Sequence, residues 1–483
     1  MSSVSTRTPT AAAPKGSTPN SAFGLSAGFR SLERETHVPE LALEGTLPSW
    51  LQGSLIRTGP AKFEFGEQQM NHWFDGFAML HRFSLADGKV SYANRFLETK
   101  AYRAAQEKGK IVYSEFATDP CRSLFARVVS MFSPKISDNA NVNLTKLGER
   151  YIAMTETPLP VEFDLETLEA AGVGYEAPGI LTTAHPHLDR ATGGMLNYAA
   201  KLGPRSGYRF FHLAPDSTEP EVIASMPVRK PAYMHSFGLS ERFLVLAEFP
   251  FVVNPPSLAL SGRPYIENYR WRPELGTRFT LVDRATGATT GPFETDPFFA
   301  FHHVNSFEQE GETVVDICTY PDAGLIEDLY LDRLRDGKPI ASPELRRFRI
   351  RPESGEIEHE RLVDQDFDLP RINYGRCNER PYRYVWGAGV GDNGWWDRIV
   401  KADVEQRTTT VWVEDGCAPG EPVFVSAPGA ADEDEGVVLS VVLDGRTGTS
   451  FLLVLDARTL DELARAEAPH HIPYSFHGQF ARA

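Results

Sequence analysis

The chain has 483 residues, 41% of them hydrophobic and 24% charged, with a net charge of -16 spread along its length. That length exceeds the roughly 250–300 residues at which one core stops growing, so several domains or a large repetitive architecture are expected. An acidic balance without a Lys/Arg-rich run excludes nucleic acid as a partner, and no apolar run reaches the ~18–20 residues a transmembrane helix needs.

Residues 1–22 are rich in Ser, Thr, Ala and Pro, contain no acid and lack a signal-peptide core. This composition leaves a transit peptide open, but a disordered tail is the plainer reading. Residues 1–25 are therefore predicted to be a tail and 26–483 one domain. In "PCRSLFARVVSMFSPK", residues 120–135, Leu124, Phe125, Val128, Val129 and Phe132 fall on one helical face, with Ser123, Arg127 and Ser130 elsewhere. Such a helix either packs on a core or dips into a bilayer.

From about residue 40 onward, β-branched and aromatic runs recur between turn clusters: "YRFFHLA", "RFLVLAEF", "RFTLVD", "TVVDICTY", "GVVLSVVLD" and "SFLLVLD". These read as strands. Similar turns follow several of them, "DRATGG" at Asp189, "DRATGA" at Asp283 and "DGRTGT" at Asp444. The class is all-β, and the repetition leaves a propeller and two stacked sandwiches both open. Cys121, Cys318, Cys377 and Cys417 lie far apart without CxxC spacing, which argues against a disulfide framework or thiolate zinc site and suits a reducing cytoplasm.

Thirteen histidines are present. His37, His72, His81, His212 and His359 sit in turn-like, mixed or charged contexts and are expected at the surface or its boundary. His185, His235, His302 and His477 instead lie beside small or aromatic residues, 50, 67 and 175 residues apart. One such histidine is most simply a satisfied core residue. Four of them, on different blades of a propeller, could converge on an axial metal, since imidazole is the commonest neutral metal ligand. Carboxylates would then be expected one layer out, fixing each ring's tautomer. Glu156, Asp368 and Glu421, acids in apolar or proline-rich contexts, are the candidates.

The blocks "GSLIRTGPAKFEF", "HWFDGFAMLHRF", "SDNANVNL", "TETPLPVEFD", "TAHPH", "YMHSFG", "FHHVNSFE", "LPRINY", "EPVFV", "EDEGVVLSVVLD" and "FHGQF" run in order from Gly53 to Phe480. Together they resemble the carotenoid cleavage oxygenases. The longer blocks "DPCRSLFARVVSMF" and "LPRINYGRCNERPYRYVWG" are most similar to the animal-type branch of β-carotene oxygenases and the retinoid isomerohydrolase. The resemblance implies a seven-bladed β-propeller with a helical and loop dome over non-haem Fe(II). It gives ligand roles to His185, His235, His302 and His477. It also places Glu156, Asp368 and Glu421 behind His235, His302 and His477 in that order. The family has Glu where this chain has Asp368, and one methylene fewer predicts a longer or water-bridged contact.

The implied activity is oxidative cleavage of one C=C bond of a carotenoid or apocarotenoid to aldehydes, with O2 as co-substrate; β-carotene to retinal is one case. A retinyl-ester isomerohydrolase, a stilbenoid or phenylpropene oxygenase and a non-catalytic propeller scaffold are the alternatives. A lipophilic substrate favours the bilayer reading of residues 120–135, as an entrance patch on a cytoplasmic protein with peripheral membrane contact. Finally, successive strand side chains point to opposite faces, so only one of His302 and His303 can reach a metal. The family block, with Asn three residues after its histidine, selects His302.

Overall fold

Asp-to-Gly turns set the spacing of the strands. Asp189 Oδ1 accepts from the Ala191 N–H at 3.1 Å, Asp283 Oδ1 from the Thr286 N–H at 3.0 Å, and Asp444 Oδ1 from the Arg446 N–H at 2.8 Å. Gly193, Gly287 and Gly448 follow at φ +71°, +70° and +73°, a region that costs glycine nothing. In the computed structural model, which describes residues 24–120, 136–203 and 205–483, these hairpins build seven antiparallel sheets arranged as the blades of a propeller.

Blade 1 holds Gly53–Lys62, Phe77–Ala86 and Lys89–Phe96; blade 2 runs from Asn143–Leu147 to Ala170–Val173, and blade 3 from Leu181–Thr182 to Glu221–Pro227. Blade 4 spans Gly238–Leu239 to Thr289–Thr295, blade 5 Phe299–Gln309 to Glu356–Asp366, blade 6 Asp368–Ile372 to Thr408–Val413, and blade 7 Cys417–Pro419 to Glu462–Glu467. Both chain ends close the ring. Leu43–Gly45 pairs with Glu462–Glu467 on the outer edge of blade 7, and the C-terminal Gly478–Arg482 pairs with Gly53–Lys62 on blade 1. Ladder bonds thus replace the free edges an open array would leave.

Separate apolar clusters fill the blade interfaces. Trp386 and Ile399 of blade 6 pack with Val438 and Leu453 of blade 7, and Phe210 of blade 3 with Phe237 and Leu244 at blade 4. The largest cluster gathers the long connections within blades 1, 4 and 5 and between blades 1 and 2 over one end of the propeller, including Trp73, Tyr102, Tyr269, Leu325 and Leu329. One of its helices, Lys100–Lys108, starts at Thr99, whose hydroxyl accepts the Tyr102 N–H, and stops at Gly109 with φ +61°.

Two histidines expected near the surface are core residues: His72 is 0% exposed and His81 2%. Their polar contexts belong to a buried cap and a buried pair. His72 Nδ1 accepts the Phe74 N–H at 3.1 Å and its Nε2–H donates to Ile326 O at 3.0 Å, while His81 Nδ1 meets the Tyr92 hydroxyl at 2.8 Å. Leu25, within the predicted tail, is buried in the largest cluster. Leu124, Phe125, Val128, Val129 and Phe132 lie outside the described residues. Among the described residues no helix is long and apolar enough to cross a membrane.

The His72 cap makes stability pH-dependent. Burial pushes its pKa from 6.5 down to about 3, and protonating Nδ1 would break the bond from Phe74. A depressed folded-state pKa stabilises the protein above the unfolded value and loses that contribution as pH falls from about 6.5 towards 3. The expected slope is roughly 1.4 kcal/mol per pH unit in that window. Chemical denaturation of metal-free wild type and His72→Asn across pH 4–7 should show the variant's stability falling less steeply with acid; equal slopes would contradict the assignment.

Candidate metal centre

Four blades deliver one histidine each to the propeller axis. His185 lies between the inner strands Leu181–Thr182 and His187–Leu188 of blade 3, and His235 just before Gly238–Leu239 of blade 4. His302 is on Phe299–Gln309 of blade 5, and His477 immediately precedes the closing strand Gly478–Arg482 on blade 1. One ligand atom from each lies within 4.8 Å of the others, and three of the four residues are buried.

The remaining three blades supply carboxylates. Glu156 of blade 2 accepts from His235 Nδ1 at 2.7 Å, Asp368 at the start of blade 6 from His302 Nδ1 at 2.7 Å, and Glu421 of blade 7 from His477 Nδ1 at 2.8 Å. Each bond fixes the Nδ1–H tautomer and leaves the Nε2 lone pair bare. The contact at Asp368 is direct, not long or water-bridged as the shorter side chain predicts. Asp368 sits on an irregular stretch of its ladder, and the next residue, Leu369, has φ +51°. This backbone is strained for leucine, and it presents the Leu369 N–H to Asp368 Oδ1 at 2.8 Å.

The outer partners of the three carboxylates differ. Glu156 Oε1 also accepts the Tyr233 hydroxyl, at 2.7 Å, and Asp368 accepts the Tyr320 hydroxyl. Glu421 accepts the Gly478 N–H at 3.0 Å and faces the buried Arg57 guanidinium at 3.5 Å. Burial alone would raise the Asp368 pKa, but His302, Tyr320 and the Leu369 N–H together hold it below the usual carboxylate range. Burial and the neighbouring imidazoles push His185 and His477 well below the ordinary histidine value, and burial lowers His235 despite Glu156. Neutrality is thus favoured at His185, His235 and His477, as metal ligation requires.

The cluster fits a cation. His302 and His477 both spend their Nδ1 protons on carboxylates, yet their Nε2 atoms lie 3.2 Å apart, and those of His185 and His235 3.0 Å apart. At the first pair two lone pairs face each other with no proton to share. A positive ion between them removes the repulsion. Bonds of ~2.1 Å at right angles would place adjacent nitrogens ~3.0 Å apart, close to both distances.

His303 takes no part. It is bonded to the Ser236 hydroxyl at 2.8 Å, joining blade 5 to the segment leading into blade 4. Two register shifts flank it, between Ala300 and His303 and between His303 and Asn305.

A narrow cavity of about 20 Å³ adjoins the cluster, reaching His235, His302, His477 and Asp368. Its other walls are apolar: Phe74, Phe301, Leu325, Leu369, Trp396 and Phe476 among them. Sequence reasoning selected the histidines but none of these. They come from strands of blades 5 and 6 and from three connections, and each looks locally like any core residue. Arg57, in the quoted block "GSLIRTGPAKFEF", was also passed over, because a lone Arg in a strand gives no sign of being buried.

The family model described as RPE65, retinal pigment epithelial membrane protein, matches residues 29–482. The mitochondrial carotenoid-cleaving dioxygenase of Macaca fascicularis is 36% identical over 513 residues, covering 90% of each chain. The β,β-carotene 15,15'-dioxygenase of Rattus norvegicus is 34% identical over 501 residues, covering 90% of this chain and 88% of the relative. Cobalt-substituted Synechocystis ACO superposes with a TM-score of 0.84 at 26% identity, over 96% of this chain and 99% of that one. With this match running from residue 29 to residue 482, the chain belongs to the RPE65 family of carotenoid oxygenases.

Proposed function

We propose that the chain is an Fe(II)-dependent dioxygenase that cleaves one C=C bond of a carotenoid or apocarotenoid into two carbonyl products, with O2 as co-substrate. The observation that carries this reading is the contact between a four-histidine cluster and an apolar, aromatic cavity. Iron held by His185, His235, His302 and His477 would supply binding and activation of O2. Among the described residues no Ser, Cys or Lys lines the cavity.

The chain's own residues have three tasks. Glu156, Asp368 and Glu421 keep the Nδ1 protons and so keep the Nε2 lone pairs aimed inward. The walls around Phe74, whose ring lies 5.7 Å from Phe301 and 5.0 Å from Phe476, position a flat polyene that has few hydrogen-bonding handles. The same walls exclude water from the reacting bond. A polyene partitions into lipid, so peripheral membrane contact forms part of the proposal, as the substrate's route of entry.

The test is to incubate Fe(II)-loaded protein with β-carotene, an apocarotenal, a retinyl ester and a stilbene, with and without ¹⁸O2. Labelled aldehydes from a carotenoid or apocarotenal, formed only with O2, are expected. Cis-retinol from the ester without O2 would replace the dioxygenase by an isomerohydrolase, and cleavage of the stilbene alone would replace the substrate class.

A further inference from the structure

One member of the histidine cluster differs from the rest. His235, His302 and His477 are 4%, 7% and 3% exposed, whereas His185 is only half-buried. The apolar cavity touches those three and does not include His185. Each of the three has a carboxylate behind it, which His185 lacks among the described residues. Pro186 and His187, next along the chain, are half-buried too. The cluster is therefore accessible at His185 from a side other than the apolar cavity.

A segment from across the ring lies over that side. The short helix Tyr374–Cys377 follows Asp368–Ile372 of blade 6, yet its residues bond blade 3. The Tyr374 hydroxyl meets His187 Nδ1 at 3.1 Å and accepts the Leu188 N–H at 3.2 Å. Because His187 Nε2–H donates to Phe237 O at 3.0 Å, Nδ1 is the acceptor and the phenol the donor. One terminal nitrogen of Arg190 donates to Tyr374 O at 3.1 Å and to Gly375 O at 2.8 Å. Asn305 of blade 5 donates to Cys377 O at 2.9 Å, and Arg376 to Ala431 O, between two strands of blade 7, at 2.7 Å. Blades 3 and 6 are not neighbours in a ring of seven, so a segment joining them lies across the axis.

The latch is superficial. Tyr374 is 38% exposed, and a side chain at Gly375 would meet nothing within 4 Å. Opening it disturbs no core packing.

The two sides of the cluster suit different guests. A divalent ion arrives hydrated, and Phe74, Phe301 and Phe476 offer no oxygen to replace the water it must shed. At His185 a ligand carries accessible surface beside the polar groups of His187, Tyr374 and Arg190. We propose that the metal ion enters and leaves past His185, and that the segment latched there by Tyr374 and Arg190 sets the rate. This rests on reading the four histidines as a metal site. The latch makes the same bonds with and without the ion, so it slows uptake and release by one factor and leaves the dissociation constant alone.

Mixing metal-free, full-length protein with Co(II) tests the idea without turnover: uptake is followed by the absorbance of the bound ion, and release by transfer to excess chelator. Tyr374→Phe and Arg190→Met each remove two latch bonds and should raise both rates about tenfold at an unchanged dissociation constant. Wild-type rates in both folded variants would overturn the proposal. Faster release alone would overturn it too, since the segment would then steady the ligands rather than guard their approach. A wild-type protein that takes up no Co(II) would instead remove the metal-site reading, and the proposal with it.

Discussion

His302→Ala should strip the metal from the protein and abolish turnover, while His303→Ala, one residue away, should retain both. His302 is 7% exposed, bonds Asp368 through Nδ1 and faces His477 Nε2 at 3.2 Å. His303 bonds Ser236 and faces a neighbouring blade. Loss of a group one layer behind a metal ligand costs ~10–100-fold in affinity, so loss of the ligand itself should exceed ~100-fold. It also leaves Asp368 as a buried carboxylate without its imidazole. Metal content after gel filtration, with product formation from the same samples, checks both variants. The ligand assignment fails if His302→Ala keeps a full complement of metal, or if His303→Ala loses as much.

The second large effect is expected at Arg57. Its guanidinium is 1% exposed and holds the two segments that converge on His477. Nε donates to Ser475 Oγ at 2.8 Å, one terminal nitrogen to Phe476 O at 2.8 Å, and the other to Glu421 O at 3.2 Å while lying 3.5 Å from the Glu421 carboxylate. Burial pushes its pKa down to about 10, so it remains a cation at neutral pH. Arg57→Met removes the more deeply buried of two cations beside the Glu421 carboxylate, leaving the partly exposed Arg371 at 3.7 Å, and strips three oxygens of their donor.

Breaking a buried pair in this way costs about 3–5 kcal/mol. Urea unfolding of the metal-free protein should register that loss. The metal dissociation rate should rise as well, because the clamp fixes the residues on both sides of the His477–Glu421 bond. Arg57→Lys keeps the charge but not the three-way fork, so it should recover little of the lost stability. A metal-free Arg57→Met protein within ~1 kcal/mol of wild type would show that the clamp is dispensable.

The turns show how much local sequence can carry. An Asp that accepts backbone N–H groups two or three residues on, followed by a glycine at positive φ, is complete within six residues. "DRATGG", "DRATGA" and "DGRTGT" are therefore readable wherever they occur. The strands between them follow from β-branched and aromatic runs for the same reason, since the information is short-range. His72 marks the limit. Its neighbours in sequence look turn-like and polar, but the group that buries it includes Ile326, 254 residues away, and nothing local reports that contact.

The metal centre divides in the same manner. The contexts of His185, His235, His302 and His477, and the acids Glu156, Asp368 and Glu421, could be singled out in the sequence, and strand alternation separated His302 from His303. Only closure of the ring brings the Nε2 atoms to one point, because four blades contribute one histidine each and the closing blade takes its own from the C-terminal strand's approach. The fold also decided that Asp368 reaches His302 directly, through the strained backbone at Leu369, and that Arg57 clamps the last histidine. The sequence by itself determined the strand–turn grammar and the kinds of side chain available. The tertiary structure decided which of them meet, because burial and ligand convergence are sums over blades hundreds of residues apart, and no local pattern encodes such sums.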